Sequence, residues 1–190
     1  RGTPFVLCGA NHNAVGMLIT VDGNYNQAKR FDAQIAATKP THKRLWAEIV
    51  KSKLQQQATI LEAIGQNPTP LNALAQKVKS GDPDNIEAQG ARKYWTMLFG
   101  EAFRRDQNAG GINALLNYGY TVVRAATARA TIAAGLHPTI SLFHSNAGNA
   151  MRLVDDLMEP FRPMIDLKVW QLAQRHETDI TPSSKRALVH

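Results

Sequence analysis

Phe143 to Pro163 reads F-H-S-N-A-G-N-A-M-R-L-V-D-D-L-M-E-P-F-R-P. At about 3.6 residues per turn, Arg152, Asp155, Asp156 and Glu159 fall on one side of a helix and Ala150, Leu153, Val154, Leu157 and Met158 on the other. Glu159 follows the two aspartates by three and four positions, where like charges repel unless a cation joins them. A divalent metal is one such cation. His144, just upstream in a loop softened by Gly148 and two asparagines, brings an imidazole that can complete a carboxylate site. Solvation is the other reading of the same residues, with Arg152 as an intrahelical partner and His144 packed. Pro160 bars a normal helical hydrogen bond, so the helix is predicted to end or kink beside Glu159.

The 190 residues around this stretch are enough for one or two domains with a real core. Lys and Arg number 22 against 15 Asp and Glu, a net charge of +7 that favours an anionic partner, nucleic acid ahead of a membrane surface. A membrane-spanning helix is not expected: the most continuously apolar segment, Leu115 to Leu136, carries Arg124 and Arg129. The opening R-G-T-P-F-V-L-C has neither an initiator Met nor a long apolar signal core, as expected of a piece of a cytoplasmic protein. Cys8 is the only cysteine, which excludes intrachain disulfides and multi-thiolate zinc sites.

Pro4 to Cys8 and Gly16 to Val21 read as strands around the polar turn Gly9 to Asn13, where His12 is expected to be exposed. Two strands do not bury a face alone, so they either pack on the helices or belong to a larger β domain. Tyr25, Ala28, Phe31 and Ile35 then give a loose helical face that Lys39-Pro40 interrupts. Thr41 to Ile64 is a clearer helix, with Leu45, Trp46, Ile49, Val50, Leu54, Ala58 and Leu61 at three- and four-residue steps and a stop at Gly65. Its other face carries His42, Lys43, Arg44, Lys51 and Lys53, suited to phosphates or simply to water. A short helix through Leu71, Leu74, Ala75 and Val78 follows. Asp82-Pro83 offers an N-cap and first-turn proline for a helix containing Glu87, whose carboxylate suits the dipole there. Asn113 to Ala134 reads as a long Ala-rich helix at the centre of a bundle, with Asn117, Tyr118 and Tyr120 as core and interhelix hydrogen-bonding groups. Met164 to Leu172 suggests another helix, and Thr181-Pro182 starts a last one. The fold class is mainly α, a helical bundle preceded by a β-hairpin.

Three segments in order, E-A-Q-G-A-R-K-Y-W (Glu87 to Trp95), N-A-L-L-N-Y-G-Y (Asn113 to Tyr120) and His144 followed by L-V-D-D-L-M-E-P-F-R-P (Leu153 to Pro163), resemble the CRISPR-associated spacer-acquisition integrase family. L-W-A-E-I-V-K-S-K-L (Leu45 to Leu54) is similar to that family's first long helix, and the likeness is greatest to versions accompanying single-effector systems. The resemblance implies that residues 1–23 are the remnant of an N-terminal β domain and 24–190 a helical catalytic domain. It implies one divalent ion, Mn2+ or Mg2+, held by Glu87, His144 and Glu159, with Asp156 supporting them and Asp155 without a role.

The implied reaction is insertion of spacer DNA into a CRISPR array, a 3′-hydroxyl attacking a phosphodiester, with endonuclease activity. Arg92, Lys93 and Arg152 are the candidate DNA-binding residues, and Arg162 is placed between that role and holding the Pro160 to Pro163 turn. The implied partners are the spacer precursor and the CRISPR repeat, the smaller core spacer-acquisition protein, and a second copy in the full-length protein. Loop Gln107 to Gly111 looks looser than its counterpart in the family. The competing reading is a catalytically silent, basic helical module that binds DNA and assembles with partners.

Overall fold

The computed structural model describes residues 5–9, 14–18 and 26–189; His12 and Tyr25 lie outside them. The hairpin expected from the alternating apolar runs is present. β1 (Phe5–Cys8) pairs antiparallel with β2 (Ala14–Leu18), with a register shift between Leu7 and Cys8. β2 starts earlier in the chain than the pattern predicted, and Ile19 to Val21 of the expected strand lie outside the described residues. Phe5, Leu7, Val15 and Leu18 stay exposed.

The rest is helical: α1 (Gln27–Ala36), α2 (Lys39–Ala63), α3 (Thr69–Lys77), α4 (Ile86–Phe99), α5 (Ile112–Ala133), α6 (Arg152–Met158), a 3-10 turn (Glu159–Phe161), α7 (Arg162–Gln174) and α8 (Pro182–Val189). The break expected at Lys39-Pro40 is present: α1 ends at Ala36, and the pair itself opens α2, where a first-turn proline gives up only an N–H that has no intrahelical partner. Gly65 and Gly135 follow α2 and α5 at φ of 78° and 71°, the left-handed turn a helix stop needs. The helix expected from Asp82-Pro83 begins at Ile86. Asp82 still caps it, its carboxylate accepting from the Ile86 and Glu87 amides at 2.8 and 3.0 Å, while Asn85 supplies the left-handed N-cap.

Two apolar clusters position the helices. Trp46, Val50, Leu54 and Leu61 of α2 pack with Leu71 and Leu74 of α3 and with Tyr94 and Leu98 of α4. Leu115 and Leu116 of α5 pack with Met158 of α6, Ile165 and Val169 of α7 and Leu188 of α8, and Trp95 and Phe99 of α4 touch both clusters. Where α2 and α4 cross, Gly90 backs onto Leu54, and a Cβ on Gly90 would run into Leu54 Cδ2. Leu54 is fully buried and has no free volume to retreat into. Gly90→Ala is therefore expected to cost about 1–3 kcal/mol in thermal or urea unfolding. A variant as stable as the parent would show slack at this crossing.

Loop 107–111 is tied to α5 at its start. Arg105 donates to Asn113 Oδ1 at 3.0 Å and Asn117 Oδ1 at 2.6 Å, and Asn117 Nδ2 donates to the Gln107 carbonyl at 2.8 Å. These bonds explain why two asparagines sit in the first turns of α5.

Candidate functional site

Asp156 and Glu159 are not on a solvated face. Asp156 is fully buried and Glu159 nearly so, because α6 packs against α5 and α2 on most of its circumference. The helix ends where Pro160 removes an amide, and the chain passes through the 3-10 turn into α7, as Pro160 and Pro163 dictate.

Three elements converge here. Glu87 comes from the first turn of α4, Glu159 from the end of α6, and Lys53 from the middle of α2. Lys53 Nζ lies 2.7 Å from Glu87 Oε1 and 2.5 Å from Glu159 Oε2. Arg162 Nε lies 2.9 Å from Glu159 Oε1, so Arg162 does brace the turn, and its guanidinium also covers the Tyr120 ring at 4.7 Å. Glu159 is thus held between two cations, one on each carboxylate oxygen. Burial works against the Glu159 carboxylate, yet Lys53 and Arg162 carry its pKa below the usual value. Burial likewise works against the Lys53 ammonium, and Glu159 and Glu87 outweigh it, holding the pKa above that of a free lysine.

Asp156 organises the loop that carries His144. Its carboxylate accepts from the backbone amides of Leu142 (2.7 Å), Phe143 (3.1 Å) and His144 (3.3 Å), and His144 Nδ1 lies 2.6 Å from Oδ1. The hydrogen bond to Asp156 raises the His144 pKa against the opposing effect of burial. With Nδ1 turned to a carboxylate, Nε2 of the neutral ring is the nitrogen with a free lone pair. Phe143 stacks on Trp46 at 4.3 Å and His144 meets the same indole edge-on at 5.9 Å.

Asp155, given no role from sequence, forms a forked pair with Arg124 at 2.6 and 3.2 Å, and Asn149 closes the group by contacting both. Arg92 and Lys93 stand exposed, with no ion pair among the described residues, and Arg92 lines a groove of about 690 Å³ with Trp95, Arg104 and Arg105. Arg152 is half-buried with its Nε unpartnered.

The structure thus brings Glu87 and Glu159 onto one cation and fixes His144 through Asp156. Among the described residues, no three His, Cys, Asp or Glu side chains lie close enough together to form a ready ion cage. The donor chemistry nevertheless suits a divalent ion: two carboxylates that already share one cation, and an imidazole with a free Nε2.

Lys53, at the centre of this junction, lies elsewhere than its place on a basic outer face predicted. It is an inward residue, its side chain 12% exposed, not a member of a solvated basic face. The signal was its spacing: Lys53 follows Val50 by three and precedes Gln57 by four, inside the buried stripe of α2. Asp166 of α7 was passed over as well. It is buried, accepts from the Tyr120 hydroxyl at 2.5 Å, and burial pushes its pKa from 3.8 up to about 7 against the pull of Tyr120, Tyr94 and Arg162. The folded chain therefore keeps a proton that the unfolded chain releases near pH 4. The stability this group contributes is complete below about pH 4 and lost as pH rises through about 7. Urea unfolding at stepped pH is expected to show that decline, and Asp166→Asn to flatten it.

Comparisons with known proteins agree with this architecture. A solved casposase bound to integration product superposes with a TM-score of 0.73 at 20% identity, covering 98% of this chain and 64% of that one. A Cas6-RT-Cas1–Cas2 complex gives 0.73 at 18% identity, covering 98% of this chain and 25% of that one. These likenesses define the class of fold. The family model described as CRISPR associated protein Cas1 matches residues 1–187, and the chain belongs to that family. It is 36% identical to the CRISPR-associated endonuclease Cas1 of Neisseria meningitidis serogroup C (strain 8013), the match covering 100% of this chain and 63% of that protein. The chain therefore spans less than two thirds of that relative's length. No described helix is long and apolar enough to cross a membrane.

Proposed function

We propose that the chain carries the catalytic helical domain, residues 24–190, of a metal-dependent DNA integrase and endonuclease of spacer acquisition, with residues 1–23 belonging to a β domain. The observation that supports this most is the meeting of Glu87 and Glu159 on a single cation within a Cas1-family chain. Glu87, Glu159 and His144 through Nε2 would hold Mn2+ or Mg2+. A divalent ion there would polarise a phosphoryl oxygen and offset its developing negative charge.

In the proposed reaction the 3′-hydroxyl of the spacer precursor attacks a phosphodiester at the edge of a CRISPR repeat. One P–O ester bond forms and another breaks; the attacker's proton passes to solvent, and the leaving 3′-oxygen takes a proton from solvent to become a 3′-hydroxyl. Asp156 keeps the His144 ring turned so that Nε2 faces outward from its carboxylate. Arg92, Lys93 and Arg152 hold backbone phosphates, which makes DNA affinity fall with salt. The partners in this reading are the two DNAs and the smaller acquisition protein, the name of one solved neighbour describing such a Cas1–Cas2 assembly.

The test is a joining assay with labelled 3′-hydroxyl DNA, a repeat-containing target and the smaller acquisition protein, with Mn2+, with Mg2+ and with chelator. Metal-dependent joined product is expected. Salt-sensitive DNA binding with neither joining nor nicking under any of these conditions would favour the silent DNA-binding module, the reading that a permanent Lys53 clamp on the carboxylates supports.

A further inference from the structure

Lys53 occupies the point where the two carboxylates meet, and it is anchored from behind. Val50 and Leu54, on either side of it, are fully buried, as is Trp46 two turns earlier, so the α2 backbone is fixed at this point. The ammonium alone is free to move, at the end of a flexible four-carbon stem. Glu87 and Glu159 carry two negative charges, which Lys53 and Arg162 balance. A divalent ion entering between the carboxylates would add two positive charges beside the Lys53 ammonium in a largely dry pocket, where like charges repel far more than in water. Arg162 has a second contact besides Glu159, its guanidinium lying over the Tyr120 ring at 4.7 Å.

We propose that Lys53 is a resident counter-cation that exchanges with the divalent ion: it holds Glu87 and Glu159 together before metal arrives and swings toward solvent when metal binds. This rests on the proposed metal-binding role of Glu87 and Glu159. Two consequences separate it from a permanent ion pair. The apparent metal affinity is lowered by the fraction of molecules in which Lys53 fills the gap. The Lys53 amine becomes reactive only in the metal-bound form.

The first measurement maps lysine acetylation by peptide mass spectrometry on the unaltered chain, with and without saturating Mn2+. Lys53 is expected to label several-fold faster with Mn2+, while Lys51, on the outer face and paired with Glu48, serves as internal reference. Where calorimetry shows the unaltered chain to bind Mn2+, Lys53 labelling that is unchanged or slower with the metal overturns the exchange.

The second compares Mn2+ binding by calorimetry in the parent and in Lys53→Met, which keeps the length and removes the charge. Affinity in the variant is expected to rise about tenfold or more, and binding seen only in the variant supports the same exchange. Equal or weaker binding in a folded variant overturns the exchange and leaves the metal site standing. No binding by either protein overturns both. Should Lys53→Met fail to fold, the labelling result on the unaltered chain decides.

Discussion

His144→Ala is expected to lower metal-dependent strand transfer about 10³-fold or more while the chain melts close to the parent temperature. Groups that only support a metal ligand cost about 10- to 100-fold when removed, and loss of the ligand itself costs more. The fold should tolerate the change, because the His144 side chain is 42% exposed. Asp156 also keeps its backbone donors from Leu142, Phe143 and His144. The check is the joining assay run beside a circular-dichroism melt. Joining at the parental rate would remove His144 from the site. Glu87→Ala belongs to the same group of losses, its side chain being partly exposed. Glu159→Ala is a less clean test, since it also leaves Lys53 and Arg162 facing a buried gap.

Asp156→Ala is expected to be the most damaging single change to stability, about 3–5 kcal/mol. The carboxylate is the common acceptor for three consecutive amides of the loop and for the imidazole, at a position with no exposure to water. Removing it orphans those donors in a dry site and frees Phe143 from its stack on Trp46. Joining activity should fall with it, because His144 loses its orientation. Asp156→Asn, which keeps one carbonyl acceptor, should lie between the two. Urea midpoints measure the difference, and a loss under about 1 kcal/mol for the alanine variant would mean that the loop is not built on this carboxylate.

Much of the helical frame was legible because it follows from local rules: the stripe from Trp46 to Leu61, the Ala-rich run of α5, the break at Pro160 and the start at Pro182. Boundaries slipped where side-chain caps compete, as at Asp82, whose carboxylate caps a helix that opens beyond Pro83. The family motifs named Glu87, His144, Asp156 and Glu159. Their environment was not legible. A helical wheel cannot tell an acidic face turned to water from one turned into other helices, and α6 is the second kind. Nor does it show that a lysine among apolar neighbours has two acids from other helices to meet. Tyr120 meets Asp166 across 46 positions, and Lys53 meets Glu159 from a helix far along the chain, separations at which no periodicity survives.

Trp46 has a further use. Its indole is buried, its Nε1 has no hydrogen-bond partner, and the rings of Phe143 and His144 lie against it. Any event that lifts the loop off Asp156 changes the polarity and ring contacts of this one chromophore, whereas Trp95 and Trp170 sit in contact with the α4 and α7 packing away from that loop. With those two replaced by phenylalanine, emission from Trp46 becomes an optical gauge of whether the imidazole is seated, readable in real time and without any label.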